Sequence, residues 1–472
     1  MGEQNILKRV LINAACALAF AVAGSAHSAN WLMLQGTEDP GASGRANVWG
    51  FVQAVYQKDY SSPNGAGGYV PPKLLGPDLN SQSGFNINRA RIGARGTGFP
   101  IDSHINYFLL MELGNNGTTH GGADYTFARM TDASITVNYI PGARIRTGLF
   151  KYPGAEEGLQ AIHVFDYINF TEVTNGLLLE RFPNKTYTNP LTCYTPPGSP
   201  AGCTGNLPAP TQAQLQSGAS MNAFNTPVGA FRDVGVQVFD AFDVGNDWEV
   251  SYAGMIGNGN GIEFDNSDGE LDKYLYFSAE KKLGGKGPKA EGLKFFAWNQ
   301  SGKRLLDKTD DTVDNPESFK RDRAGFGVKY MDKPFRVTAE YITADGMVWV
   351  GPDKPNFYFT NNTAHGNGAD AKANGWYLEG GWYVPNTKWE LDARFDTMTR
   401  LKDRVNQHKF DKWTFGVQYH FNLKSRVTIN YEKRNFKCNS GVSPCTAPAP
   451  NTPDYNLEGV GNKLGVQLTA IF

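Results

Sequence analysis

Apolar and polar residues alternate with a period of two along most of the chain, most clearly over its last ten residues, 463–472. One face of this stretch is apolar: Leu464, Val466, Leu468, Ala470 and Phe472. The other face is Lys463, Gly465, Gln467, Thr469 and Ile471. Such alternation puts successive side chains on opposite sides of a sheet, and about ten tilted strand residues cross a membrane core. The final Phe resembles the terminal signature of outer-membrane β-barrels. The barrel-assembly machinery recognises that signature when it inserts such barrels among outer-membrane lipids.

Sixteen segments carry this alternation, and the connections between them are alternately short and long. The long connections are residues 58–84, 114–130, 151–230, 258–271, 304–320, 346–373, 400–410 and 437–459. Short turns at one end and long loops at the other are the plan of a bacterial outer-membrane barrel. A soluble β-sandwich shows neither this regularity nor this length. The pattern predicts an all-β fold, a transmembrane antiparallel β-barrel of sixteen strands over 45–472, with strands eight and nine ambiguous in facing.

The first 28 residues have the features of a targeting signal. Lys8 and Arg9 precede an apolar run over 10–23, and Ala26 and Ser28 supply the small residues of a cleavage site. We therefore expect a signal peptide over 1–28 and export from the cytoplasm. The segment 29–44 that follows is short and contains several Gly and a Pro, so we expect it not to be a plug domain.

Composition narrows the classes of function. The 472 residues include 54 Gly, and 12% are aromatic, which fits strands joined by many turns. The net charge of −1 gives no sign of nucleic-acid binding. The chain has no HExxH, GxSxG, Walker or CxxCH motif, and its seven histidines are scattered. We therefore predict no enzymatic activity, no metal and no cofactor.

Two of the long connections, near residues 263–272 and 307–317, are acidic. Carboxylate oxygens are ligands for Ca²⁺, but the run DNSDGE at 265–270 lacks the full EF-hand pattern. Solvated acidic loops are the simpler interpretation, and calcium binding stays an alternative.

Four cysteines follow the leader: Cys193, Cys203, Cys438 and Cys445. Four cysteines allow three pairings, and an exported chain meets an oxidising compartment. Proximity in sequence favours disulfides Cys193–Cys203 and Cys438–Cys445. Free thiols are the alternative, and zinc is disfavoured because no His lies near either pair.

Basic residues concentrate on the predicted inner faces of a few strands. Arginine on the lipid face costs about 2–4 kcal/mol at the membrane midplane, so residues that alternate with apolar neighbours must point into the lumen. This reasoning predicts seven pore-lining arginines: Arg89, Arg91 and Arg95 on strand two, Arg144 and Arg146 on strand five, and Arg321 and Arg323 on strand ten. For any one of them, a structural ion pair with a lumenal acid is the alternative role.

The connection 151–230, loop three, is long enough to have a function of its own. It contains helix-like stretches at 155–168 and 211–224 and four carboxylates that we take as candidates for a constriction: Glu156, Glu157, Asp166 and Glu172. A sixteen-stranded barrel is wide enough for an aqueous channel, and a loop folded inward would narrow it. We expect loop three to set these carboxylates across the lumen from the arginines. The alternatives place it over the outer mouth or against neighbouring subunits.

Several segments of the mature chain resemble the phosphate-selective porin O/P family. They are NINRARIGARG at 86–96, INYFLLMELG at 105–114, DASITVNYIPGARIRTGLFKY at 132–152, KWELDARFDTMTR at 388–400 and SRVTINY at 425–431. The resemblance implies a homotrimeric sixteen-stranded porin with an arginine-lined pore. Arg89, Arg91, Arg95, Arg144 and Arg146 lie in the matching segments.

These observations predict a porin in the outer membrane of a Gram-negative bacterium. We expect passive diffusion of small hydrophilic solutes with a preference for anions, phosphate among them. The alternative function is a barrel that serves as a scaffold or conduit for a partner protein, such as an adhesin or a sheath around an electron carrier. Conductance in a planar bilayer distinguishes the two, because a scaffold or sheath would not form stable open channels.

Overall fold

The chain folds into sixteen strands and a few short helical turns. The computed structural model describes residues 30–35, 37, 46–61, 83–98, 102–116, 118–119, 128–179, 229–262, 264, 266, 269–285, 289–307, 316–348, 370–403, 407–438 and 460–472. The strands are β1 (Asn47–Asp59), β2 (Ser83–Gly98), β3 (Asp102–Glu112), β4 (Arg129–Val137), β5 (Arg144–Lys151), β6 (Arg232–Gly245), β7 (Trp248–Gly257), β8 (Asp272–Gly284), β9 (Glu291–Asp307), β10 (Pro316–Asp332), β11 (Phe335–Asp345), β12 (Lys372–Tyr383), β13 (Trp389–Arg400), β14 (His408–Asn422), β15 (Ser425–Cys438) and β16 (Lys463–Ile471). The helices are α1 (Trp31–Leu34), α2 (Glu156–Leu159) and α3 (Glu172–Leu177), with a 3₁₀ turn at Ile162–Val164. None of these helices is long and apolar enough to cross a membrane.

Each strand pairs antiparallel with the next, and β1 pairs with β16 to close the barrel. Val52 of β1 lies opposite Ala470 of β16 on one side and Ala90 of β2 on the other. The predicted fold and the count of sixteen strands are confirmed. The short turns use residues that tolerate positive φ, such as Asn246 at 52° and Asp247 at 64° between β6 and β7.

The outer face of the barrel is apolar, as the alternation predicts. Ile92, Leu109 and Phe326 are 42%, 43% and 62% exposed, because lipid rather than protein covers them. Their polar neighbours along the strands are buried, among them Arg91 and Arg323.

Strands β8 and β9 carry aromatic residues on both faces. Phe277 and Phe295 point outward and are exposed, whereas Tyr276, Phe296 and Trp298 point inward and are buried. The inward aromatics belong to one apolar cluster with residues of loop three and of α1. The ambiguity of these two strands in the sequence therefore has a physical cause: their inner face is covered by protein.

Candidate functional site: the filled lumen

The described part of loop three, residues 151–179, lies inside the barrel and crosses to the wall opposite β5. Its ion pairs fall on β9 to β14 and on the turn before β9, and its other contacts extend to β15 and to β1, where Gln53 Nε2 donates to the carbonyl of Ile162. The inward fold expected of this loop is confirmed, and a placement over the outer mouth is excluded for these residues. The stretch 211–224 lies outside the described residues.

Glu156 is held by two strands of the wall. Its carboxylate lies between two ammonium groups, with Lys294 Nζ at 2.6 Å and Lys329 Nζ at 3.0 Å. Burial acts to raise the pKa of Glu156, but the two lysines outweigh it and lower the pKa to about 2. Glu156 is therefore an ionised anchor held between β9 and β10.

Glu157 and Glu172 anchor the loop further around the wall. Glu157 Oε1 lies 3.2 Å from Arg394 Nη1 on β13, and its carboxylate also accepts hydrogen bonds from Thr171. Glu172 Oε1 lies 2.9 Å from Lys412 Nζ on β14, and its backbone N–H donates to Asp396 at 2.7 Å. Both glutamates are almost completely buried.

Asp166 occupies the end of the lumen near the short connections. It contacts Lys289, in the connection between β8 and β9, and its Oδ2 lies 3.2 Å from Arg336 Nη1 on β11. Each of the four predicted carboxylates of loop three is thus paired with a cation of the wall on β9 to β14 or of its short turns.

The predicted helix over 155–168 is wrong in extent. The chain forms only the single turn α2 and the 3₁₀ turn, because Gln160 is already extended, with ψ of 150°. Because the helix ends there, the carboxylates of loop three that follow one another in sequence can reach different strands of the wall. The sequence reading missed α3, whose local signal is the cap: Thr171 Oγ1 accepts from the N–H of Thr174, and Glu172 begins the first turn.

The five arginines of β2 and β5, here called the arginine wall, are Arg89, Arg91, Arg95, Arg144 and Arg146. Their partners differ. Arg91 Nε lies 2.7 Å from Glu112 Oε2, and Arg144 Nε lies 3.5 Å from Asp240 Oδ1.

Neutral groups hold two members of the arginine wall. Arg89 Nη1 donates to Gln53 Oε1 at 3.0 Å. Arg146 donates to Thr136 Oγ1 at 3.2 Å and to the carbonyl of Gln35, and its guanidinium lies 4.3 Å from the ring centroid of Phe239. A shift in the pairing of β1 with β2 follows Gln53, so that Asn88 and Arg89 both point into the lumen.

The two predicted arginines of β10 are inward and buried, but their contacts are those of anchors. Arg323 donates to the carbonyls of Leu177, Gly346 and Met347 at 2.7–2.8 Å. Arg321 Nη1 lies 3.7 Å from Asp272 Oδ2. Arg323 therefore fixes the end of α3 against β10.

The segment Asn30–Gln35, here called the amino-terminal segment, also lies in the lumen. Trp31, Leu32 and Met33 are 4%, 2% and 1% exposed and belong to the apolar cluster that includes Phe296 and Trp298. The expectation that residues 29–44 do not form a plug domain stays a prediction, but the described residues 30–35 fill lumenal space that the alternation did not predict.

Between loop three, the amino-terminal segment and the wall lies a cavity of about 30 Å³. Trp31, Glu156, Asp166, Lys329 and Arg336 are among its lining residues. The space is about that of a single water molecule.

Within the described residues, no group of three His, Cys, Asp or Glu side chains is arranged to hold a metal ion. The predicted disulfides fall on Cys193, Cys203 and Cys445, which lie outside the described residues, and on Cys438, whose side chain does as well.

Residues 297–440 match the family described as phosphate-selective porin O and P. This part of the chain, 144 of the 472 residues, is similar to that porin family. The protein is one of the Gram-negative outer membrane, and the family match together with the closed barrel points to a channel rather than an enzyme. A comparison with curated proteins finds no match.

Three solved structures illustrate what this chain is similar to. An anion-selective porin from Comamonas acidovorans has 12% sequence identity, with 90% of this chain and 99% of that chain covered and a TM-score of 0.47. OmpT of Vibrio cholerae has 10% identity, 90% and 97% coverage and a TM-score of 0.46. OmpF of Salmonella typhi in complex with daunomycin has 11% identity, 90% and 97% coverage and a TM-score of 0.48.

Proposed function

We propose that this porin mediates passive diffusion of small hydrophilic solutes and favours anions, with phosphate among the candidates. The observation that carries the proposal is an imbalance between two sides of the lumen. The four loop-three carboxylates are paired with lysine or arginine, whereas Arg89 and Arg146 are held by neutral acceptors.

Paired charges and unpaired charges act differently on a passing ion. The field of a close ion pair falls off quickly, so Glu156 and Glu157 contribute little negative potential beyond their own lysine or arginine partners. A guanidinium bound to an amide or hydroxyl oxygen keeps its positive charge. In a narrow bore, where few counterions fit, such fixed charge raises the local concentration of anions and lowers that of cations.

The reversal potential in a salt gradient across a planar bilayer tests this proposal. The double variant Arg89→Gln/Arg146→Gln should shift the chloride-to-potassium permeability ratio toward cations by about twofold or more. The matched control is Arg91→Gln/Glu112→Gln, which also changes two lumenal residues but removes one charge of each sign. This control variant should have the same chloride-to-potassium permeability ratio as the parent.

Salt dependence gives a second check, because the Debye length falls to about 3 Å in molar salt. The difference between the arginine variant and the parent should shrink there. If the variant and the parent have the same reversal potential at low salt, the two arginines do not determine selectivity. Adding phosphate to the chloride solutions tests whether phosphate competes with chloride for the same path.

The filled lumen gives the scaffold or conduit function a specific observation in its favour. A barrel of that kind would give no stable channels in a planar bilayer, whatever the salt. We also propose a homotrimer, supported by the match of residues 297–440 to the porin family. Chemical crosslinking in outer membranes should yield a band of three chains.

A further inference from the structure

The amino-terminal segment contacts strands on both sides of the lumen. Its first residue lies against β7, where Asn30 Nδ2 donates to Glu249 Oε1 at 3.0 Å and to Ser251 Oγ at 2.5 Å. Its last residue lies against β4 and β5, two to three strands away: Gln35 Nε2 lies 3.4 Å from Asp132 Oδ1, and the carbonyl of Gln35 accepts from Arg146. The segment also reaches β2 and β10, which lie half a barrel apart, so it crosses the path that a solute would take.

Two members of the arginine wall donate to carbonyls of this segment. Arg95 Nη2 lies 3.5 Å from the carbonyl oxygen of Leu34, and Arg146 donates to that of Gln35. On the far side, the Trp31 ring centroid lies 5.4 Å from Lys329 Nζ. The segment therefore covers cations on both sides of the lumen.

The polar contacts of the segment differ from those of loop three. Within the described residues, the charged side chains of the barrel that contact the amino-terminal segment meet neutral groups of it, namely two amides, two carbonyls and an indole ring. Helix α1 has no side-chain cap, whereas α3 is capped by Thr171. Opening of the segment therefore separates none of the ion pairs that hold loop three, and its main cost is exposure of the buried side chains of Trp31, Leu32 and Met33.

We propose that Asn30–Gln35 is a tethered blocker whose residues determine which solutes pass. In place, it occludes the lumen and covers Arg95 and Arg146. Oxyanions are stronger hydrogen-bond acceptors than peptide carbonyls, so an anion that reaches these arginines competes with Leu34 and Gln35. Release of the segment then widens the bore on the side of the arginine wall. This inference rests on the proposed porin function.

A crosslink tests the position of the segment. In Asn30→Cys/Ser251→Cys the introduced thiols replace an amide and a hydroxyl whose Nδ2 and Oγ atoms lie 2.5 Å apart, so a disulfide should form in the folded barrel. The matched control is Asn30→Cys/Gln467→Cys, because Gln467 is equally buried in the lumen but lies on β16. Peptide mapping under non-reducing conditions distinguishes these pairs from the native cysteines. Equal crosslinking in both variants, or none in either, would overturn the placement.

Conductance tests the occlusion. Trp31→Ala/Met33→Ala removes the two largest buried contacts of the segment, and single-channel conductance should rise about twofold or more. Oxidised Asn30→Cys/Ser251→Cys should conduct no more than the parent, and reduction should restore the parent value. Equal conductance of the parent, the loosened variant and the locked variant would overturn the blocker while leaving the porin function intact. Absence of channels from all of them, with the crosslink formed, would overturn the porin function instead.

Discussion

Lys294 Nζ on β9 lies 2.6 Å from Glu156 Oε2 in loop three, and each side chain is only 2% exposed. The pair joins two parts of the chain that are 138 residues apart in sequence. Because water reaches neither group, each depends on the other, and on Lys329 nearby, to remain charged.

Removing both members of this pair should destabilise the barrel less than the two single removals added together. Lys294→Met leaves Glu156 with a single cation, and a loss of about 3 kcal/mol in the free energy of unfolding is expected. Glu156→Gln/Lys294→Met should lose less than the sum of the single variants, with a coupling of about 1 kcal/mol or more. Urea unfolding in lipid vesicles measures both.

The control for this cycle is an exposed pair. Lys320 Nζ lies 2.9 Å from Asp345 Oδ2, but the lysine side chain is 51% exposed. Lys320→Met should therefore cost less than about 1 kcal/mol. Equal losses for Lys294→Met and Lys320→Met would contradict the anchoring role of Glu156.

Acid should release the Glu156 anchor. Its pKa is about 2 in the folded barrel and near 4.5 when unfolded. A lowered pKa adds stability that is present above pH 4.5 and is lost as the pH falls toward 2. Glu156→Gln should lack this decline in the unfolding midpoint, and a variant that declines as the parent does would refute the assignment.

Glu172 should make the stability depend on pH in the opposite direction from Glu156. Burial raises its pKa to about 7, with Lys412 opposing the shift and Asp396 adding to it. A raised pKa means that stability is greatest below pH 4.5 and declines as the pH rises to 7, by at most about 3 kcal/mol. Glu172→Gln should flatten the thermal midpoint between pH 5 and pH 8. An unchanged slope in that variant would show that Glu172 does not titrate in this range.

Closure of the barrel should depend on the contact between Phe472 and Gly50. Their backbones exchange two hydrogen bonds, at 2.9 and 3.1 Å, and a Cβ added to Gly50 would lie 2.4 Å from the Phe472 ring. Deletion of Phe472, Phe472→Asp and Gly50→Val should each sharply reduce heat-modifiable folded barrel in the outer membrane. Phe421→Asp, which changes an exposed aromatic of β14, is the control and should be milder. Normal folded levels after deletion would contradict the role of the terminal residue.

The disulfide pairing stays a prediction. Non-reducing peptide maps should show Cys193 joined to Cys203 and Cys438 joined to Cys445. Each local bridge would close a small loop and stabilise the fold by roughly 2–3 kcal/mol. A peptide joining Cys193 to Cys445 would show instead that loop three meets the connection between β15 and β16.

The alternation of side chains was sufficient to predict the barrel, because lipid imposes one apolar face on every strand. Ile92 and Arg91 are adjacent in sequence; Ile92 points to the lipid and Arg91 to the lumen, as expected. The same rule failed for β9, where Phe295 and Phe296 are both aromatic. Lys294 was missed as an anchor for that reason.

The filling of the lumen could not be predicted, since its partners are distant in sequence. Asn30 and Ser251 are 221 residues apart, and Lys412 and Glu172 are 240 apart. Trp31–Leu34 has no period that reveals a partner. The facing of the arginine wall was predicted, but the pairing of loop three with particular cations of β9 to β14 was not, because alternation gives the facing of a side chain and not its neighbour.

The two aromatic faces of β9 also bear on how the barrel assembles. A slip of one residue against β8 would exchange Phe295 with Phe296, and apolar burial would hardly resist it. The same slip would carry Lys294 from the lumen to the lipid side and separate it from Glu156. The ion pair with Glu156 thus favours the native register of a strand that its own hydrophobic pattern leaves ambiguous.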